Sequence, residues 1–352
     1  MKIGILTYHR AHNFGALLQA MATRFALEKM GHEAYFVDYW PDYHAKRYRI
    51  HWPPHYSVIY KPLRYIRFLC SIGNKKRRIK RFEEFILKNI QPYCKGIDEQ
   101  YDVLLYGSDQ IWRKQKELGD FNEIYFASHK IKALKYLAFS ASTDRLPQPS
   151  EFERFQSLLK NYSAISVREE QLQVLCVKLG FNADIVVDPT FLIQGEEWVK
   201  HLNIKPTQEP PYALYYIMKQ GVFDISHVRE YCKRKGLLLK VLHGYNIDKD
   251  DDENISIVDP RDMVSLIYSA QFVITTSFHG LAFAINLHKE FVVSTDFGVE
   301  RIVSLLNTFG LSERFVDGKL PIEDFEKIKY DAVVKKQHEL TSHAIAFIEN
   351  NI

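Results

Sequence analysis

Two rhythms of hydrophobic and polar positions alternate along this chain. Short apolar runs read as buried strands: KIGILTY at the N-terminus, EAYFVDYW, DVLLYGSDQIW, KALKYLAFSAS and SAISVRE, then PYALYYIM, LLLKVLHG, QFVITTSFHG and EFVVST. Between them, apolar residues recur at helical spacing. These stretches are ALLQAMATRFALEKMG closed by Gly31, EFERFQSLLKN, Glu169 to Leu179, ISHVREYCKRKG, DPRDMVSLIYSA, LAFAINLH and GVERIVSLLNTFG. Asp259 is a natural N-cap with Pro260 in the first turn behind it, and Gly310 closes the last of these helices. Repeated strand–helix units predict parallel sheets with helices on both faces.

At 352 residues the chain is long enough for two domains. DIVVDPTFLI, residues 184–193, followed by the polar NIKPTQEPP at 203–211, reads as the crossing between them. The expected architecture is therefore α/β, with two doubly wound Rossmann-like domains facing a cleft. The first spans 1–183 and the second 184–352, with the last helix free to pack back on the first domain.

Composition adds an ordinary globular balance, 46% apolar and 26% charged. No run is long and uncharged enough to span a bilayer, and the opening MKIGILTYHR is too short for a signal peptide, so a cytoplasmic location is expected. Cys70, Cys94, Cys176 and Cys232 are far apart and read as reduced. No His, Asp, Glu or Cys cluster has ligand spacing, so no metal is expected.

Charge is uneven. Between Asp42 and Glu83 the chain carries twelve Lys and Arg residues and no carboxylate, interleaved with Tyr48, Trp52, Tyr56, Tyr60, Tyr65 and Phe68. Residues 44–81 read either as a solvated basic helical excursion or as an element meeting anionic lipid at the inner face of the membrane. No nucleic-acid motif accompanies the charge, and no nucleic acid is expected as partner.

In doubly wound sheets ligands sit beyond the carboxyl ends of strands. HNFGALLQ follows the first strand, so Asn13, Phe14 and Gly15 either offer a helix-start anion site or form a plain helix cap. GSDQIW supplies Ser108, Asp109 and Gln110. Asp109 suits the orienting or deprotonation of an acceptor hydroxyl, or else an Asx-turn, and Trp112 reads as core. Arg168 ends SVRE and Arg301 lies in the helix after EFVVST; each is a fork for carboxylate or phosphate, with Glu169 and Glu300 as local ion-pair partners. His279, in TTSFHGLAFAI, is the candidate proton carrier, and Gly280 after it would allow close approach of a ligand.

NFGALLQA, GHEAYFVDY, LLYGSDQIW, ISVREE, VVDPTFLI and above all ITTSFHGLAFAINLHKEFVV followed by Arg301 resemble the polysaccharide pyruvyl transferase family over residues 1 to about 315, and poorly over the basic excursion. The resemblance implies a GT-B-like fold and transfer of the pyruvyl group of phosphoenolpyruvate to two hydroxyls of a sugar, of galactose type, in capsule or exopolysaccharide assembly. The product is a cyclic ketal, and phosphate is released. It places a general acid at His279 and donor binding at Arg168, Ser277, Phe278, His279, Gly280 and Arg301, with no cofactor beyond the donor substrate. One departure stands out: many members have Arg where this chain has Ser277, and Arg301 is the cation available to compensate. The acceptor would be a sugar carried on a lipid diphosphate, a nucleotide or a polymer. The competing readings are a GT-B glycosyltransferase using a nucleotide sugar, and an inactive carbohydrate-binding or membrane-associated scaffold.

Overall fold

The opening run folds as β1 (Lys2–Leu6), buried over its last four residues, as a parallel strand covered on both faces should be. The computed structural model describes residues 1–52, 61–205, 209–244, 250–251, 253–296 and 298–352. Residues 53–60 of the basic stretch, including Tyr56 and Tyr60, and residues 206–208 of the expected crossing lie outside the described residues.

The first half continues through α1 (Phe14–Lys29), β2 (Glu33–Val37), α2 (Asp42–Arg47), α3 (Pro62–Asn89), β3 (Cys94–Lys95) and β4 (Gln100–Tyr106). A short antiparallel pair, β5 (Lys114–Gln115) and β6 (Asp120–Phe121), precedes β7 (Lys132–Ala141), α4 (Phe152–Leu159), β8 (Ala164–Val167), α5 (Glu170–Lys178) and β9 (Asp184–Ile185). The second half comprises α6 (Gly195–His201), β10 (Tyr212–Ile217), α7 (Ile225–Lys235), β11 (Leu238–His243), β12 (Asn254–Ile255) and α8 (Pro260–Ser269). It ends with β13 (Phe272–Thr275), α9 (Phe278–Asn286), β14 (Glu290–Val293), α10 (Val299–Phe309) and α11 (Tyr330–Asn351).

Two sheets result, ordered β3-β2-β1-β4-β7-β8-β9 and β12-β11-β10-β13-β14, parallel throughout. In each the chain winds outward from a central strand and then returns to its other side, so β1 pairs with both β2 and β4, and β10 with both β11 and β13. These are two Rossmann-like domains in the GT-B-like arrangement expected, and the winding reversal opens a crevice beyond the carboxyl ends of the central strands. β9 pairs with β8 through Ser166–Asp184 and Val167–Ile185. The first sheet thus runs past residue 183, and the crossing follows Ile185. The last helix touches the first domain: the Phe347 and Phe139 rings lie 6.3 Å apart, and Lys135 Nζ reaches the carbonyls of Asn351 and Ile352 at 3.3 and 3.0 Å.

Alternation along β4 divides the core. Val103 and Leu105 face a large apolar cluster that joins α1, the Pro189–Leu192 turn, α9 and α11 across the two domains. Leu104 and Tyr106 face a second cluster that contains Trp112, fully buried against Phe126 and Phe155. A third, with Tyr215, Val228 and Ile274, lies behind the second sheet.

Two helix starts differ from the sequence pattern. Asn13 Oδ1 accepts from Ala16 N at 3.1 Å, so α1 begins at Phe14 rather than Ala16. Ser277 Oγ accepts from Gly280 N at 3.2 Å, so α9 begins at Phe278 and His279 lies within its first turn. In both, a capping side chain satisfies an orphan N–H and sets the boundary earlier than apolar spacing shows.

The basic stretch, devoid of carboxylates in sequence, finds them in space. Arg47 grips Glu117 with Nη2 at 3.0 and 3.1 Å from the two oxygens. Arg81 pairs with Asp259 at 2.8 Å and with Asp262 at the start of α8. Arg78 is buried, with its guanidinium over the Phe14 and Phe82 rings. It donates to the carbonyls of His243 (2.7 Å), Ser256 (2.8 Å) and Gly244. Cations that read as needing an external anion are in part the pins between the two domains.

Candidate active site

The site forms where strand ends of both sheets meet. The turn after β4 requires glycine at 107, whose φ is +140° and whose Cβ would come within 1.9 Å of the Phe139 carbonyl oxygen. Beyond it Asp109 adopts φ 68°, and its Oδ1 accepts from Gln110 N at 2.8 Å, one residue on rather than the two residues on of an Asx-turn. From the second sheet, β13 leads directly into α9 and His279.

His279 meets the opening helix. A Cβ on Gly15 would fall 1.9 Å from His279 Nδ1 and 2.2 Å from Cγ, so the imidazole occupies the space that any side chain at 15 would take. On its other edge Nε2 lies 3.7 Å from Asp188 Oδ2, buried and without a hydrogen bond. Asp188 follows β9 and is fully buried. Its Oδ1 accepts from Thr190 N at 3.0 Å and Thr190 Oγ1 at 2.7 Å, and its Oδ2 pairs with Arg168 Nη1. Burial alone would raise the pKa of this carboxyl, but the neighbouring His279 and Arg168 outweigh it and hold Asp188 well below the usual carboxylate range.

Arg168 is nearly buried and heavily engaged. Besides Asp188 it donates to Glu169 Oε1 at 3.2 Å and Ser142 Oγ at 2.9 Å, and its guanidinium sits over the Phe278 ring at 4.7 Å. Burial would lower its pKa, and the Glu169 and Asp188 charges more than restore it. Its principal partner is twenty residues away along the chain, where sequence reasoning saw only adjacent Glu169.

Arg301 is different. It is part-buried, yet among the described residues it makes no ion pair within 4.0 Å. With the Gln110 amide turned so that its oxygen faces the guanidinium, Gln110 accepts from Nη1 at 2.9 Å and Nη2 at 3.2 Å. Burial first, and Arg168 second, lower the Arg301 pKa, as expected of a cation held out of water beside another cation. The Phe278 ring also lies within 6.0 Å of it.

A cavity of about 560 Å³ opens on the first-domain side, lined by Tyr8, Asn13, Arg49, Lys75, Asp109 and Gln110 among others. Several expected site residues instead serve the scaffold. Phe14 packs against Phe82 and Tyr216. Ser108 is buried, its N–H on Gln19 Oε1 and its carbonyl on Thr7 Oγ1. Ser277 is a helix cap, and a Cβ on Gly280 would come within 2.4 Å of Thr275 Oγ1 and 2.6 Å of Tyr216. Asn13 caps α1 at the cavity wall. Asp188 escaped notice as a site residue. Its signal was an Asp-Pro directly after an apolar run, within a segment read as an interdomain crossing.

Fold and site together define a two-domain α/β protein with a His–Asp pair and a part-buried arginine, unmatched by any carboxylate described, at the meeting of two sheets. The chain belongs to the polysaccharide pyruvyl transferase family, whose model matches residues 13–295. Among solved structures it is similar to spinosyn rhamnosyltransferase SpnG complexed with thymidine diphosphate, at 11% identity over 99% of both chains and a TM-score of 0.42. It is also similar to UDP-GlcNAc 2-epimerase from Methanocaldococcus jannaschii, at 11% identity over 97% of this chain and 93% of that one, with a TM-score of 0.46. A third is Escherichia coli heptosyltransferase WaaC with ADP, at 12% identity over 100% of both chains and a TM-score of 0.37. No curated protein matches the chain significantly in sequence.

Proposed function

We propose that this cleft moves the pyruvyl group of phosphoenolpyruvate onto two hydroxyls of a sugar, forming a cyclic ketal in capsule or exopolysaccharide assembly. The observation that carries the reading is Arg301, a part-buried guanidinium with no ion-pair partner among the described residues, within 6.0 Å of the Phe278 ring that precedes a histidine backed by a buried carboxylate. A desolvated cation of this kind favours an anionic ligand, and its planar fork suits phosphate or carboxylate.

The chemistry follows from the geometry. His279 Nε2 faces Asp188 and is closed to solvent, so Nδ1, on the Gly15 side, is the nitrogen left to deliver a proton. Protonation of the enol methylene by Nδ1–H makes a methyl group and an oxocarbenium-like centre, which the first sugar hydroxyl attacks. Asp188 stabilises the imidazolium beforehand and orients the ring. The proton of the first hydroxyl restores the one His279 gave. Attack by the second hydroxyl expels phosphate, which takes the second hydroxyl proton, and the ketal closes with atoms and charge in balance. Asp109, on the wall of the cavity, would orient an acceptor hydroxyl by accepting its hydrogen bond.

The cavity takes the acceptor. Arg49, Lys75 and Arg113 on its walls favour an acceptor that carries phosphate near the sugar, as a lipid-diphosphate or nucleotide-linked sugar does. Trp52, Leu63, Ile66 and Leu69 are exposed, and both Trp52 and Lys75 rest on Phe68, which supports a peripheral contact with anionic lipid through this region. The test is donor choice: the protein should release inorganic phosphate from phosphoenolpyruvate in the presence of galactoside acceptors and add a pyruvate ketal detectable by mass. Release of a nucleotide from sugar nucleotides instead would replace this reading with glycosyl transfer. No turnover of either donor would leave a binding protein.

A further inference from the structure

Three adjacent strands of the first sheet bring three residues together: His9 lies just after β1, Asp38 directly follows β2 and Cys94 opens β3. One ligand atom from each, an imidazole nitrogen, a carboxylate oxygen and the thiol sulfur, lie within 4.8 Å of one another. The three residues are far apart in sequence, which is why spacing along the chain did not reveal them.

The imidazole of His9 is set for coordination. Its side chain is wholly buried, stacked on Phe36 at 5.6 Å, and Nδ1 lies 3.0 Å from the Thr7 carbonyl oxygen. A carbonyl only accepts, so Nδ1 carries the proton and Nε2 presents its lone pair. Nε2 has no hydrogen-bond partner and points toward Asp38 Oδ1, 3.8 Å away, itself buried and unpartnered. The other carboxylate oxygen is held by Arg10 Nη2 at 3.0 Å, which fixes the orientation of the group. A backbone carbonyl that fixes the tautomer of a histidine, with the far nitrogen bare and buried, is the second-shell arrangement of metal-binding imidazoles.

We propose that His9, Asp38 and Cys94 form a site for a divalent ion of the zinc class, separate from the His279 cleft. A nitrogen, an oxygen and a sulfur donor together suit a borderline-soft ion, whereas magnesium and calcium take oxygen ligands. Bonds of ~2.0 Å to nitrogen and oxygen and ~2.3 Å to sulfur put the ligand atoms of a tetrahedral ion roughly 3.3–3.5 Å apart, so the cluster must close by at most about 1.5 Å. The thiol binds as thiolate and gives its proton to solvent, and a water completes the fourth position. Asp38 and Cys94 are part-exposed, which leaves that position open. A bound ion would tie the loop leading to the Asn13 cap and Gly15 to the edge of the sheet.

The probe is cobalt. The full-length protein, stripped with chelator and titrated with Co²⁺, should bind one equivalent with a thiolate-to-cobalt charge-transfer band and the visible spectrum of four-coordinate cobalt. Zn²⁺ should bleach both, and Mg²⁺ should not. Cys94→Ser should abolish the charge-transfer band, Asp38→Asn should weaken cobalt binding at least tenfold, and Cys70→Ser, which alters an exposed cysteine elsewhere, should leave both unchanged. A wild-type protein without the band overturns the proposal. So does a band that survives Cys94→Ser or disappears with Cys70→Ser.

Discussion

Gly15→Ala probes the join between the two domains at its tightest point. On helix propensity alone the change should stabilise α1 by roughly 0.5–1 kcal/mol, since Gly15 lies in its first turn. The new Cβ, however, would sit 1.9 Å from His279 Nδ1, 2.2 Å from Cγ and 2.3 Å from Cε1, where ordinary contact begins at 3.4 Å. The imidazole must retreat by about 1.5 Å, and its other edge is already closed by Asp188. Overpacking of this kind costs about 1–3 kcal/mol, so the net expectation is destabilisation of roughly 1–2 kcal/mol. Displacement of a proton donor by an ångström or more should lower turnover on the order of a hundredfold. The decisive assay is a double-mutant cycle followed by denaturant unfolding. In a His279→Ala background the overlap is gone, and Gly15→Ala should become neutral or stabilising by up to roughly 1 kcal/mol. An equal cost in both backgrounds, or full turnover of the single variant, would refute the reasoning that glycine is there to seat the histidine.

Arg301→Ala should raise the donor KM on the order of tenfold to a hundredfold with little change in stability, since a charge-assisted contact is lost without orphaning a carboxylate; an unchanged KM would move the anion site elsewhere. Arg168→Ala should act differently, losing about 3–5 kcal/mol of stability because the fully buried Asp188 loses its arginine and keeps only His279 and Thr190, and denaturant titration checks it. Asp188→Asn should also destabilise the fold. Because the folded pKa of Asp188 is depressed, its contribution is complete above the unfolded value of about 3.9 and is lost as pH falls through the folded one. The stability gap between wild type and Asp188→Asn should therefore hold constant from neutral pH to about 4 and narrow only below it. Finally, co-sedimentation with anionic vesicles should fall as salt rises, since surface charges are screened within about 10 Å at 0.1 M. It should also drop when Leu63, Ile66 and Leu69 become Ser or Lys75, Lys76 and Arg77 become Gln. Arg78 is left in place because it pins the domains; equal recovery on neutral vesicles would remove the membrane from the account.

The class of fold was legible in the sequence alone. Strand and helix periodicities, Asp259 as a cap and Gly310 as a stop depend on interactions within a few residues, and those are legible in a linear string. It also located His279, Asp109 and Arg168 at strand ends, where the doubly wound topology gathers its ligands, and Arg301 in the helix after one of them. Which of them meet, and what they face, came from packing in three dimensions. Asp188 joins His279 because β9 completes the first sheet beside β8, and Arg168 turns from a free fork into a holder of that carboxylate. Gly15 is needed only because a ring from the other domain fills its place. Arg47 and Arg81 of the basic stretch met Glu117, Asp259 and Asp262, and His9, Asp38 and Cys94 came together from three neighbouring strands. Such meetings are set by packing between elements distant in sequence, and no local pattern carries them.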